Sequence, residues 1–181
     1  MADLQQILKK NGKSYFFVSE SLGNSLILHN GNLIIKNDPI ISGFKDLDLQ
    51  KNKIYYPHVR EDNEIIIPED KIQDENDIAV IKVIEKLFHE NERAINYEQL
   101  QNPRKELIKN SDEGKEQKFY RLQIRDMEEG VYVDKDYYNY LTGTGHDMIT
   151  FRRDLKPMLA FFLKNARVGA ILPPYAIEKK I

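Results

Sequence analysis

A chain of 181 residues is long enough for a self-sufficient hydrophobic core, and with no cysteine it has no disulfides, no thiolate chemistry and no Cys-containing zinc or iron–sulfur site. Its 27 basic and 29 acidic side chains nearly cancel, which leaves no global field to draw it onto a nucleic acid or an anionic membrane. No apolar run approaches the length of a membrane span, and the first residues, "MADLQQILKKNGK", carry no apolar signal region, so the expectation is a soluble cytoplasmic or virion protein.

In chain order, Asp3 is expected to cap a short helix with Leu4, Ile7 and Leu8 on one face and Asn11-Gly12 as its stop. A strand follows at Ser14 to Val18. "SLILHNGNLIIK" reads as a β-hairpin, because Asn30-Gly31 suits the two positive-φ positions of a type I′ turn between apolar runs. "KIYYPHV" and "EIIIP" form a second hairpin across "REDN", with Pro57 and Pro68 at strand ends.

The longest helix is predicted over 78–92, capped by Asn76 or Asp77. Ile78, Val80, Ile81, Ile84, Leu87 and Phe88 give it too broad an apolar face for a surface helix, which makes it a buried central helix. Asn102-Pro103 reads as a cap and first position of a short helix through Ile108. "NSDEGKEQ" reads as a solvated loop separating two units, 1–110 and 118–181, which can also close into one continuous domain.

"KFYRLQIR" alternates as a half-buried strand, Tyr120, Leu122 and Ile124 against Arg121, Gln123 and Arg125. A turn, the short strand "VYV" and a helical turn capped by Asp134 come next, then "TGTGHD" and the strand "MITF". Asp154 is expected to cap a C-terminal helix with Leu155, Leu159, Phe162, Leu163 and Ala166 on its buried face, ended by Gly169. The remaining "AILPPYAIEKKI" reads as an extended tail. The fold class expected is α+β: antiparallel hairpins, a buried central helix and a C-terminal helix.

Chemistry is sparse. "TGTGHD" lacks the third glycine of a dinucleotide fingerprint and the Lys-Ser/Thr pair of a phosphate loop. The pair His146-Asp147 resembles the signature of the HD phosphohydrolases, which implies metal-dependent phosphate ester hydrolysis. That family sets the pair on a helix with an earlier helical His and a later Asp. Here it follows two glycines, and the later Asp154 is expected as a cap. His29, His58 and His89 are not spaced to clamp a metal together, and no G-x-S-x-G nucleophile elbow surrounds any serine. No catalytic residue, metal or cofactor is therefore assigned.

Two binding readings remain. Arg121 and Arg125, followed by Tyr132, Tyr137, Tyr138 and Tyr140 and then by Arg152 and Arg153, interleave bases and aromatics as a single-stranded nucleic-acid surface does. The favoured reading is a non-enzymatic structural or scaffolding subunit, partnered by copies of itself or by other subunits of an assembly. Tyr137 and Tyr138 supply contact area, and Leu172, Pro173, Pro174, Tyr175 and Ile177 form a proline-stiffened apolar tail that packs in cis or docks in trans. An acidic stretch over 61–77 and a basic one over 151–181 add a charge asymmetry. Abundant Lys, Asn, Ile and Tyr point to an AT-rich genome, as in many bacteria and their phages, and hence to a phage virion or neck component.

Overall fold

The computed structural model describes residues 4–9, 13–29, 33–36, 50–62, 64–66, 74–92, 98–112, 115–126, 130–145, 148–151, 160–164 and 168–172. Three helices and antiparallel strand pairs occupy these residues, a mixture that fits the α+β class. The chain clusters into two compact units, Leu4–Tyr97 and Glu98–Ile181, with Met1–Asp3 grouped with the second.

The first unit begins with helix α1 (Leu4–Leu8), whose Ile7 is buried. Strands β1 (Ser14–Ser19), β2 (Asn24–His29) and β3 (Leu33–Lys36) follow, with β4 (Ile54–Tyr55) on the other side of β1. Consecutive residues Tyr15, Phe16 and Phe17, and likewise Leu26, Ile27 and Leu28, are buried, so both faces of the sheet are covered. That is why these strands read as continuous apolar runs rather than as alternation. The hairpin expected at "SLILHNGNLIIK" forms, with His29 opposite Leu33. Its turn lies outside the described residues, and the register leaves three residues between the paired ends, one more than a type I′ loop.

The second expected hairpin also forms, between β5 (His58–Val59) and β6 (Ile65–Ile66). Pro57, which has no N–H to give a ladder, stands where the chain leaves the β1 ladder for this hairpin. Helix α2 spans Glu75–Glu92, three residues earlier than expected. Its cap is neither Asn76 nor Asp77 but Asp74, whose side chain accepts from the Asn76 N–H at 2.8 Å while its carbonyl accepts from Ile78 N–H at 3.2 Å. Nor is the helix buried all round: Ile81, Ile84 and Phe88 are buried, but Val80 and Val83 are 41% and 59% exposed. The valines widen the apolar count in sequence, yet fall about 100° per residue away from the Ile81–Ile84–Phe88 stripe.

In the second unit, β7 (Glu98–Gln101), β11 (Met148–Phe151), β12 (Ala160–Lys164) and β13 (Val168–Leu172) pair antiparallel in that spatial order. A second sheet has the order β10-β9-β8, from β8 (Lys105–Asp112), β9 (Lys115–Leu122) and β10 (Val131–Asp134). Helix α3 (Lys135–Gly143) packs against β9, β10 and β13. Asp134 caps it as expected, accepting from the N–H groups of Asp136 at 2.8 Å and Tyr137 at 3.1 Å.

Three segments differ from the sequence expectation. The expected C-terminal helix is not a helix where it is described: Ala160–Lys164 and Val168–Leu172 are the two strands of a hairpin, and Gly169 lies inside β13 opposite Leu163 rather than at a helix end. The run Phe161-Phe162-Leu163 satisfies a strand paired on both sides as well as it satisfies a helical stripe, and the β11 and β13 ladders decide between them. The cap Asp154 lies outside the described residues. The helix expected after Asn102-Pro103 is the strand β8. Asn102 has φ +44°, a left-handed turn position that asparagine tolerates, and it redirects the chain from β7 to β8. "NSDEGKEQ" is not a free loop but the end of the β8–β9 hairpin, with Asp112 opposite Lys115.

Candidate functional site

The feature of the second unit that offers most to another molecule is the β8–β9 hairpin. β8 is the outer strand of its sheet, and Arg104, Lys105, Glu106, Leu107 and Lys109 are all exposed, so both faces of the strand meet solvent. Leu107 is 45% exposed. Towards β9 the strand is well held: Glu106 stands opposite Arg121, with a carboxylate to guanidinium distance of 3.6 Å. The Lys105 ammonium lies 4.7 Å from the centre of the Tyr120 ring and 4.9 Å from that of Tyr138, and these rings meet edge to face at 5.2 Å.

The basic and aromatic residues singled out in sequence are thus partly brought together, in an unexpected arrangement. Arg121 is half-buried and faces an acid, Arg125 is exposed just beyond β9, and Lys105 was not anticipated as the cation over the tyrosines. Tyr137 and Tyr138 are buried within the unit. Burial raises both phenols above their ordinary range, Tyr137 strongly, with the charges of Asp134 and Asp136 adding to its rise and Tyr120 to that of Tyr138. A raised phenol favours the folded chain below its unfolded pKa near 10.0, and that contribution is lost as pH climbs towards the folded value. Thermal unfolding is therefore expected to be level between about pH 7 and pH 9 and to fall above about pH 10. Tyr137→Phe combined with Tyr138→Phe should flatten the alkaline fall, as read by calorimetry across that range.

No protein-family model, curated protein or solved structure matches this chain. Residue chemistry alone therefore carries the reading. Leu172 is the last residue of β13, opposite Ala160, so the expected tail begins inside a sheet. Pro173, Pro174, Tyr175, Ile177, Arg152, Arg153, His146 and Asp147 lie outside the described residues. Gly145 takes a positive φ of +89° in the turn after α3, a conformation glycine adopts at no steric cost, whereas Gly143 is the last residue of the helix itself. Among the described residues no group of three or more His, Asp or Glu is placed to hold a metal, and no helix is long and apolar enough to cross a membrane. His29 is buried with its Nδ1 2.6 Å from Ser14 Oγ, His58 is exposed, and His89 Nε2 is 3.4 Å from Ser21 Oγ.

The first unit holds a cluster that sequence reasoning missed, at the start of α2. Lys13 Nζ is 2.5 Å from the buried Asp77 carboxylate and 3.3 Å from that of Asp74. Tyr56 Oη donates to Asp77 at 2.9 Å and accepts from the Asp74 N–H at 3.3 Å. The hydrogen bond to Asp77 holds the Lys13 ammonium above its usual range, and the hydrogen bond from the Asn76 N–H holds the Asp74 carboxyl below its own. Part of the acidic stretch is thus internally paired across the first unit rather than displayed. These groups pair with one another and form an ionic latch on the helix start. Nearby, a cleft of about 420 Å³ is lined by Phe17, Ile78, Ile81 and Glu85, and the Glu85 carboxylate accepts from the Ser19 hydroxyl. That bond ties α2 to the end of β1.

Proposed function

We propose that the chain is a non-enzymatic structural or scaffolding subunit of a protein assembly, with a phage virion or neck as the particle class its composition favours. The observation that carries this reading is β8, eight residues long and the outer strand of its sheet among the described residues, with Lys105, Glu106, Leu107 and Lys109 exposed on its two faces. An edge strand of that length is a template for another strand, and proteins that stay single shorten, bulge or cover such an edge. β8 contains no proline, and the charges of Lys105, Glu106 and Lys109 make it selective about its partner rather than sealing it. The sparse catalytic chemistry agrees with a binding role. Light scattering after size-exclusion chromatography is expected to give a mass above that of the monomer, unchanged by single-stranded DNA. A protein that stays monomeric at high concentration and joins no larger complex from its host would overturn the reading.

Single-stranded nucleic-acid binding is the second reading, supported by the exposed Arg125 and by Lys105 over its aromatic pair. Against it stand the near-neutral chain and the acid beside Arg121. Submicromolar oligonucleotide binding, lost in Arg121→Ala with Arg125→Ala, would place it first.

A further inference from the structure

The β8 edge constrains not only that a strand adds to it but which strand and in what register. In an antiparallel ladder the pairs alternate between those that exchange N–H···O bonds and those that do not. The Gln123 N–H donates to the Arg104 carbonyl at 2.9 Å, which marks Arg104 and Gln123 as a bonded pair. The register continues as Lys105 opposite Leu122 and Glu106 opposite Arg121. The even-numbered positions of β8 therefore direct their backbone groups to β9, and the odd-numbered ones, from Lys105 and Leu107 onward, direct theirs away from it.

Consider a second copy of β8 laid antiparallel along this edge about a two-fold axis. Each bonded pair must then join two odd-numbered positions, so the axis passes through a residue and never between two. Centring on Leu107 sets Lys105 opposite Lys109 twice. Centring on Lys109 sets that lysine opposite itself and Glu106 opposite Asp112. Both registers oppose like charges, which is destabilising in directly facing pairs. Centring on Ile108 instead sets Ile108 opposite itself, Leu107 opposite Lys109, and Arg104 opposite Asp112 at each end. Of the registers centred within 107–109, it alone opposes no like charges and pairs unlike ones.

Resting on the assembly reading above, we infer that two copies of this chain pair through β8, antiparallel and centred on Ile108, to make a continuous six-stranded sheet β10-β9-β8-β8-β9-β10. The occupant of the edge is a second copy because the strand's own charge order is complementary to itself when reversed. The short ladder is the specific part of the contact, and Leu107 and Ile108 place apolar groups at its centre.

The absence of cysteine makes the register directly readable. Three single variants, Leu107→Cys, Ile108→Cys and Lys109→Cys, are oxidised gently at matched concentrations and their covalent dimers are quantified. In the inferred register residue 108 faces its own copy at a Cα separation of about 4.5 Å, within reach of a disulfide. Residues 107 and 109 are each displaced two positions from their own copies, about 8 Å apart, beyond that reach. Ile108→Cys should therefore cross-link at least an order of magnitude faster than the other two. Leu107→Pro, which removes an outward N–H but none of the bonds to β9, should lower the mass of the unmodified protein to that of a monomer. Faster cross-linking through 107 or 109 overturns the register. An oligomeric protein in which none of the three cross-links, or in which Leu107→Pro leaves the mass unchanged, overturns the pairing while leaving the assembly reading standing. A monomer that joins no host complex overturns both.

Discussion

Phe16→Ala is expected to cost about 3–5 kcal/mol of stability, the range for removing a buried aromatic ring from a core that relaxes only in part. Phe16 is 1% exposed and sits on β1 between two ladders, opposite Ile27 on one side and Tyr55 on the other. The ring cannot be replaced by water without leaving apolar walls unfilled. Against a total stability of about 5–15 kcal/mol, such a loss lowers the midpoint of denaturant unfolding by a large fraction. Phe16→Leu should retain most of it. Equal midpoints for the wild-type chain and Phe16→Ala would mean that β1 is not at the centre of the first unit.

Gly130→Ala is the second large effect, and Gly23→Ala is its control. Both glycines have positive φ, +64° at Gly23 and +66° at Gly130, so alanine meets backbone strain of about 1–2 kcal/mol at either position. Their surroundings differ. A Cβ on Gly23 would meet no atom within 4 Å, whereas one on Gly130 would stand 2.6 Å from the Leu122 carbonyl oxygen and 3.2 Å from Arg121 Cγ. Leu122 is fixed in the β9 ladder opposite Val131, and backbone cannot give way as a side-chain tip does. Overpacking of this kind adds about 1–3 kcal/mol. Urea unfolding should show Gly130→Ala losing about twice as much stability as Gly23→Ala or more. Equal losses would mean that β10 does not approach β9 so closely.

The parts of this protein legible in its sequence are those whose determinants lie within a few residues. Asn30-Gly31 between apolar runs announced the β2–β3 hairpin, Asp134 announced the start of α3 through its own side chain, and Pro57 marked a strand end. Each rests on local geometry: a turn preference, a cap accepting from nearby N–H groups, a missing donor. The candidate site was less legible. The arginines and tyrosines of the second unit stand out in the sequence, but Tyr suits both a core and an interface, and the periodicity does not say that Tyr137 and Tyr138 are buried.

What the sequence by itself determined is the material: a mixture of helix and antiparallel strands, one long helix and no cysteine chemistry. Tertiary structure decided the rest. Phe161-Phe162-Leu163 fits a helix or a strand by period, and only the neighbouring ladders of β11 and β13 select the strand. Lys105–Asp112 is a strand because β9 pairs with it along its whole length, and an outer strand because its sheet ends there. The latch at α2 joins Lys13 to Asp74 across 61 residues. Lys13 and Asp74 look like ordinary solvated charge in a linear reading, since an ion pair has no period and no turn to betray it. Pairings across such distances depend on which surfaces the folded chain brings together, and that is set by the summed burial of the core rather than by any local run of residues.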